Sequence, residues 1–211
     1  MFTAILTTAQ QALLERLSTI ATVQTFYLAG GTALALHLGH RRSVDLDFFR
    51  AESFDPGELI RALDRGGTLA VRRAERDTLT VEINGVATSF FAYPHALVQP
   101  PAASPWSVRL AAVGDIAAMK LSAIAGRGSR KDFVDLYFIC REVMSLARAL
   151  QLFEKKFRNV PYERYHVLKS LTFFDDAEAE VMPEMVRPAA WTAIKQFFVA
   201  EAPALFAAGG T

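Results

Sequence analysis

Leu13, Leu14, Leu17 and Ile20 recur at helical spacing near the start of the chain and predict an opening helix. Phe26-Tyr27-Leu28-Ala29 is a short apolar run of the kind a buried strand makes, and it ends at Gly30-Gly31. A helix from about Thr32 to Leu38 follows, closed by Gly39. At Val44-Asp45-Leu46-Asp47-Phe48-Phe49 the period changes, and apolar residues alternate with acidic ones. A period of two puts Asp45 and Asp47 on one face of a strand, with Val44, Leu46 and Phe48 on the other.

Further along, Pro56 to Leu63 predicts a helix, and Leu69 to Arg72 and Thr78 to Ile83 predict strands. Asn84-Gly85 is a strong hairpin signal that joins Thr78–Ile83 to a partner strand at Val86 to Phe91. A two-residue loop there pairs Ile83 with Val86, Glu82 with Ala87 and Thr80 with Ser89, so that Glu82 and Ser89 share a face as diagonal neighbours. Beyond Pro105 the pattern is helical throughout. Asp115 is expected to cap a helix through Ile124, the Gly126-Arg127-Gly128 turn ends it, and a second helix runs from about Arg130 to Arg141. Helices are also predicted at Leu146–Phe157, Tyr162–Leu171 and Pro188–Phe206, with a frayed tail at Gly209-Gly210-Thr211. The class is therefore α/β (α+β): an α/β core over residues 1–105 and an all-helical region over 106–211, packed on that core.

Composition narrows this picture. A chain of 211 residues that is 52% hydrophobic buries a sizeable core. Its formal charge of +1 excludes the overall basic excess of a nucleic-acid coat protein, leaving only local patches. Three such patches exist, Arg41-Arg42, Arg72-Arg73-Arg76 and Arg127-Arg130-Lys131, each of which serves either phosphate or a solvated face. The single Cys140 excludes a disulfide within one chain and makes a reduced, cytoplasmic setting the default. Residues 1–17 lack the basic start and long apolar run of a signal peptide, and no membrane span is expected.

The chemistry concentrates in Leu28-Ala29-Gly30-Gly31-Thr32 and, twelve residues on, Asp45-Leu46-Asp47. Glycines between a strand and a helix let backbone N–H groups approach phosphate oxygens, and the helix N-terminus adds its positive end. Two aspartates on one strand face repel each other, which a cation between them would relieve. Their hard oxygens suit Mg²⁺, with substrate phosphates completing its shell.

Gly-Gly-Thr, a short helix, residues 39–43 and then Asp45-Leu46-Asp47 resemble the signature of nucleotidyltransferase-fold proteins. More narrowly, the chain resembles the abortive-infection nucleotidyltransferase toxin family of the AbiEii/AbiGii type. Asp115-Ile116-Ala117-Ala118-Met119-Lys120, Gly126-Arg127-Gly128 and Arg130-Lys131-Asp132-Phe133-Val134-Asp135-Leu136 are similar to that family's later motifs. The resemblance spans roughly residues 24 to 140 and implies a mixed sheet flanked by helices. It also implies transfer of a nucleoside monophosphate from an NTP to an acceptor hydroxyl, with an RNA such as a tRNA end as acceptor and a cognate antitoxin as partner.

Carried over, Gly30, Gly31, Thr32, Arg42 and Ser43 would bind the nucleotide, and Asp45 and Asp47 would hold Mg²⁺. Lys120, Lys131 and Asp135 would complete the catalytic set, although Lys131, Asp132 and Asp135 also fit a surface ion-pair cluster on one helix. His37 and His40 fit structural roles. One departure bears on turnover. A two-metal site of this kind takes a third carboxylate from a later strand, and here Ser89 stands in its place. Either Glu82 replaces that acid from the adjacent strand, or it is a solvent-facing residue. The absence also keeps open a second function, a fold that binds nucleotide, RNA or protein without turnover.

Overall fold

A computed structural model describes residues 1–64 and 66–207; the tail expected to fray, Gly209-Gly210-Thr211, lies outside them. The chain forms two compact units, Met1–Ala112 and Val113–Thr211.

In the first unit, helix α1 (Thr8–Ser18) precedes strand β1 (Tyr27–Ala29), helix α2 (Gly30–Leu38), strand β2 (Leu46–Arg50) and helix α3 (Pro56–Leu63). Strands β3 (Leu69–Glu75), β4 (Thr78–Ile83) and β5 (Val86–Ala92) complete a five-stranded sheet of order β1-β2-β5-β4-β3. Only β2 and β5 run parallel; the other neighbours are antiparallel. Helix α1 starts where Thr7 and Gln10 cap each other, the Gln10 N–H donating to Thr7 Oγ1 at 3.1 Å and the Thr7 N–H to Gln10 Oε1 at 3.0 Å. Gln10 also donates from Nε2 to the Ser43 carbonyl at 2.8 Å, tying this helix to the loop before β2. Helix α2 ends at Gly39, whose φ of 64° is the left-handed conformation that favours glycine at a helix end.

One sheet face is the core. Leu28, Leu46, Phe48, Leu79, Val81, Ile83 and Phe90 are essentially inaccessible, each such side chain contributing about 1.5–3 kcal/mol by burial. Phe48 stacks on Phe90 at 5.1 Å, and Phe26 meets Phe90 edge-on at 5.3 Å. The hairpin register is the one its turn predicts: Ile83 with Val86, Glu82 with Ala87, Thr80 with Ser89. Asn84 and Gly85 both take positive φ, as a tight hairpin turn of that kind requires.

Two local expectations change. Strand β2 begins at Leu46, so Asp45 lies just before it, and Val44 is 71% exposed rather than facing the core with Leu46 and Phe48. The loop before β2 is tied by Gln10 at the Ser43 carbonyl and by Thr32 at the Asp45 carbonyl, so the period of two does not extend into it. Asp115 is the third residue of its helix and not its cap.

The second unit is helical: α4 (Val113–Arg127), α5 (Arg130–Glu142), α6 (Leu146–Lys156), α7 (Arg164–Ser170), α8 (Asp175–Glu178) and α9 (Trp191–Ala207). Pro188 precedes α9 by three residues instead of opening it. A buried aromatic cluster joins α5 to α9, with Phe133 against Phe198 at 5.4 Å and against Trp191 at 6.0 Å. Asp115 and Lys156, both inaccessible, pair at 2.8 Å and link α4 to α6.

Candidate active site

The face of the sheet opposite the core carries the acids. Register places Ala29, Asp47, Ser89 and Thr80 side by side across β1, β2, β5 and β4. The next row on the same face is Tyr27, Phe49, Phe91 and Thr78. Asp47 and Asp45 are both half-buried, reachable by a ligand and still sheltered.

Three contacts fold the Gly-Gly-Thr turn onto these acids. Gly30 has φ 67°, and a Cβ added to it would lie 3.0 Å from Asp47 Oδ2, so its lack of a side chain lets the carboxylate approach the turn. The Thr32 hydroxyl donates to the Asp45 carbonyl. This is a structural use of the hydroxyl, in a side chain that is itself buried. At Gly31 an added Cβ would overlap the Arg41 guanidinium and lie 3.0 Å from Ser43 Oγ. Ala29, at the position before helix α2, supplies no side-chain cap to that helix.

Of the two arginines before the strand, the structure separates the roles. Arg41 is only 4% exposed, donates to the Arg42 carbonyl at 2.9 Å and lies against the glycine turn. Arg42 is exposed and reaches away to the Ile5 carbonyl at 3.2 Å. An Arg-Arg pair in the sequence marks the patch, but only packing selects which member faces the turn. His37 bonds the Ala111 carbonyl at 2.9 Å, and burial pushes its pKa down. Glu82 is paired with Arg72 at 3.0 Å, both side chains well exposed. Among the described residues no group of three His, Cys, Asp or Glu comes together as a metal site, so no third acid joins Asp45 and Asp47.

The later motif residues form a separate arrangement within the second unit. Lys120 of α4 is 7% exposed and lies 2.7 Å from Asp132 Oδ1 and 2.6 Å from Asp135 Oδ2, both on α5 and inaccessible. Arg127 Nε donates to Asp132 Oδ2 at 2.9 Å. Burial alone would push the Lys120 ammonium down, but Asp135 and Asp132 outweigh it and hold it above the usual lysine range. Burial likewise opposes ionisation of Asp132, and Lys120 and Arg127 still hold it below the usual carboxylate range. Lys131 is exposed and does not join this cluster. Sequence spacing groups Lys131 with Asp135; the structure gives Asp135 to Lys120 of the preceding helix.

The other arginine patches are largely neutralised. Arg73 pairs with Glu75 at 2.7 Å, Arg76 lies 3.7 Å from Asp77, and Arg130 lies 3.4 Å from Glu178.

A family model described as nucleotidyl transferase AbiEii toxin, type IV toxin–antitoxin system, matches residues 12–104 and 65–208. The chain belongs to this AbiEii family. An uncharacterized protein of Aquifex aeolicus (strain VF5) is 37% identical over 193 residues, covering 90% of this chain and 92% of that one. Among solved structures, MenT4, a nucleotidyltransferase toxin from Mycobacterium tuberculosis, superposes with a TM-score of 0.59 at 17% identity, over 91% of this chain and 83% of its own. The antibiotic-resistance factor ANT(2'')-Ia gives 0.51 at 19% identity, over 77% of this chain and 97% of its own. At these identities the two structures establish a shared fold. The AbiEii chain therefore has the mixed sheet with flanking helices that its motifs imply. No helix among its described residues is long and apolar enough to cross a membrane.

Proposed function

We propose that this AbiEii protein is a Mg²⁺-dependent nucleotidyltransferase toxin that moves a nucleoside monophosphate from an NTP to an acceptor hydroxyl. The observation that carries the reading is the packing of Gly30-Gly31 directly against Asp47 and Arg41, which joins a phosphate-sized glycine turn to a pair of hard oxygen donors. The half-buried Asp45 and Asp47 carboxylates fit Mg²⁺ and would hold it. Bound there, the metal supplies positive charge to the phosphate being transferred. Gly30, Gly31 and the first turn of α2 receive the triphosphate, while Arg41 and Ser43 flank it and Arg42 borders the entrance. Arg41 suits this task because its planar fork meets two phosphate oxygens at once.

In the reaction the acceptor oxygen forms a bond to the α-phosphorus as the bond to the bridging oxygen breaks. Pyrophosphate leaves, and the hydroxyl proton passes to solvent. Within the second unit Lys120 with Asp135 joins α4 to α5, and Lys131 is exposed on α5. The acceptor is an RNA, with a tRNA end favoured by the family, and a cognate antitoxin restrains the protein in a cytoplasmic setting.

Incubation with each labelled NTP, Mg²⁺ and total tRNA tests this. Label is expected on RNA with the wild-type chain and not with Asp45→Ala/Asp47→Ala. Absence of transfer to RNA, protein or small acceptors would overturn the proposal. Ser89, beside Asp47, favours the second reading, a module that binds nucleotide without turnover. Retained nucleotide affinity with no product would select it.

A further inference from the structure

Two-metal phosphoryl-transfer sites hold their ions about 3.5–4 Å apart, a spacing that needs carboxylates on more than one side of the pair. In this chain the place for the additional carboxylate is defined by sheet register. The parallel β2–β5 pairing sets Ser89 directly beside Asp47, at the interstrand spacing of about 4.8 Å. The residue beyond Ser89 on β4 is Thr80, and the neighbour preceding it on the same face of β5 is Ala87. All three are neutral. The acids that β4 and β3 add to this face are engaged, Glu82 beside Ala87 by Arg72 at 3.0 Å and Glu75 beside Thr78 by Arg73 at 2.7 Å. Fixed positive charge is already present at the turn, since the buried Arg41 guanidinium fills the space beside Gly31.

We propose that this site takes one divalent cation per chain, on Asp45 and Asp47, and that Ser89 is the residue that closes the second metal position. The inference rests on the nucleotide-site reading above and sharpens it. Ser89 offers a hydroxyl where a second ion needs a carboxylate, and the Arg41 guanidinium already places positive charge beside the glycine turn. Ser89 is thus a determinant of metal stoichiometry, acting through the carboxylate it lacks.

The test is equilibrium dialysis of the full chain against Mn²⁺ with saturating α,β-methylene nucleoside triphosphates, each of the four in turn, read together with the electron paramagnetic resonance spectrum of the retained Mn²⁺. Wild type is expected to retain one Mn²⁺ per chain with an uncoupled spectrum, and Ser89→Asp to retain two with a spin-coupled one. Two coupled ions on the wild-type chain overturn the inference while leaving the nucleotide site intact. A Ser89→Asp chain that stays at one ion, although folded by circular dichroism, overturns the role given to Ser89. Retention of neither Mn²⁺ nor nucleotide by wild type overturns the nucleotide-site reading itself, which separates that failure from the failure of the stoichiometry.

Discussion

The two units of this AbiEii protein use the same kinds of residue in opposite ways. In the first, Asp47 on the sheet face and Asp45 just before β2 are half-buried, with Gly30 close against the Asp47 carboxylate. In the second, Asp132 and Asp135 are inaccessible and share Lys120, with Arg127 closing the outer side. Lys120 and Arg127 face Asp132, and Lys120 also faces Asp135. A motif aspartate thus stands half-buried against a glycine turn in one unit and inaccessible in a helix-to-helix ion pair in the other. Removing one member of such a pair leaves a buried charge uncompensated, whereas removing a half-exposed ligand removes only function.

This contrast can be broken at four points, from the largest effect down. Asp47→Ala should lower nucleotidyl transfer by about a thousandfold, the equivalent of several kcal/mol of charge stabilisation, while urea unfolding shifts by less than about 1 kcal/mol. A collapse in stability instead would make Asp47 a structural residue. Lys120→Met should do the reverse, costing about 3–5 kcal/mol in urea unfolding by removing the buried cation shared by Asp132 and Asp135.

The same cluster sets a pH window. Lys120 has a raised folded pKa, so its contribution is complete below the ordinary lysine value and is lost as pH rises through the higher folded one. Asp132 has a depressed one, so its contribution is complete above the ordinary carboxylate value and is lost as pH falls through the lower folded one. Unfolding free energies measured from acid to alkaline pH should therefore show a plateau across neutrality, and a profile that slopes through pH 7 because of this cluster would contradict the pairing.

Smaller effects follow at the turn. Gly31→Ala forces Arg41 and Ser43 to move, at a cost of about 1–3 kcal/mol, and is expected to weaken nucleotide binding in a filter or calorimetric assay. Unchanged affinity would remove Arg41 from the phosphate site. The least effect is expected from Glu82→Gln, whose exposed pair with Arg72 is worth at most about 1 kcal/mol. Because Glu82 is not among the proposed ligands, transfer should continue, and its loss would restore Glu82 as the missing acid.

Several of these distinctions were partly legible in the chain itself. The Asn84-Gly85 turn alone predicted the β4–β5 pairing and hence the placement of Ser89, because a two-residue hairpin leaves no freedom of register. The close packing of the Gly-Gly-Thr turn on Asp47 was hinted at by the same kind of local signal, since turn and strand chemistry are written in neighbouring residues. Arg41 over Arg42 was not legible, as the two differ only in which side of a loop packs inward. Nor was the engagement of Asp135 by Lys120, since helical spacing reports neighbours on one helix and is silent about the helix packed against it.

Local sequence, then, determined most of the elements and the hairpin register, because each depends on backbone preference and periodicity within a few residues. Tertiary structure alone decided how deeply each charge is buried and what it meets. Whether a carboxylate serves a ligand or a lysine depends on the burial and partners that distant segments bring to it, and those exist only once the chain has folded.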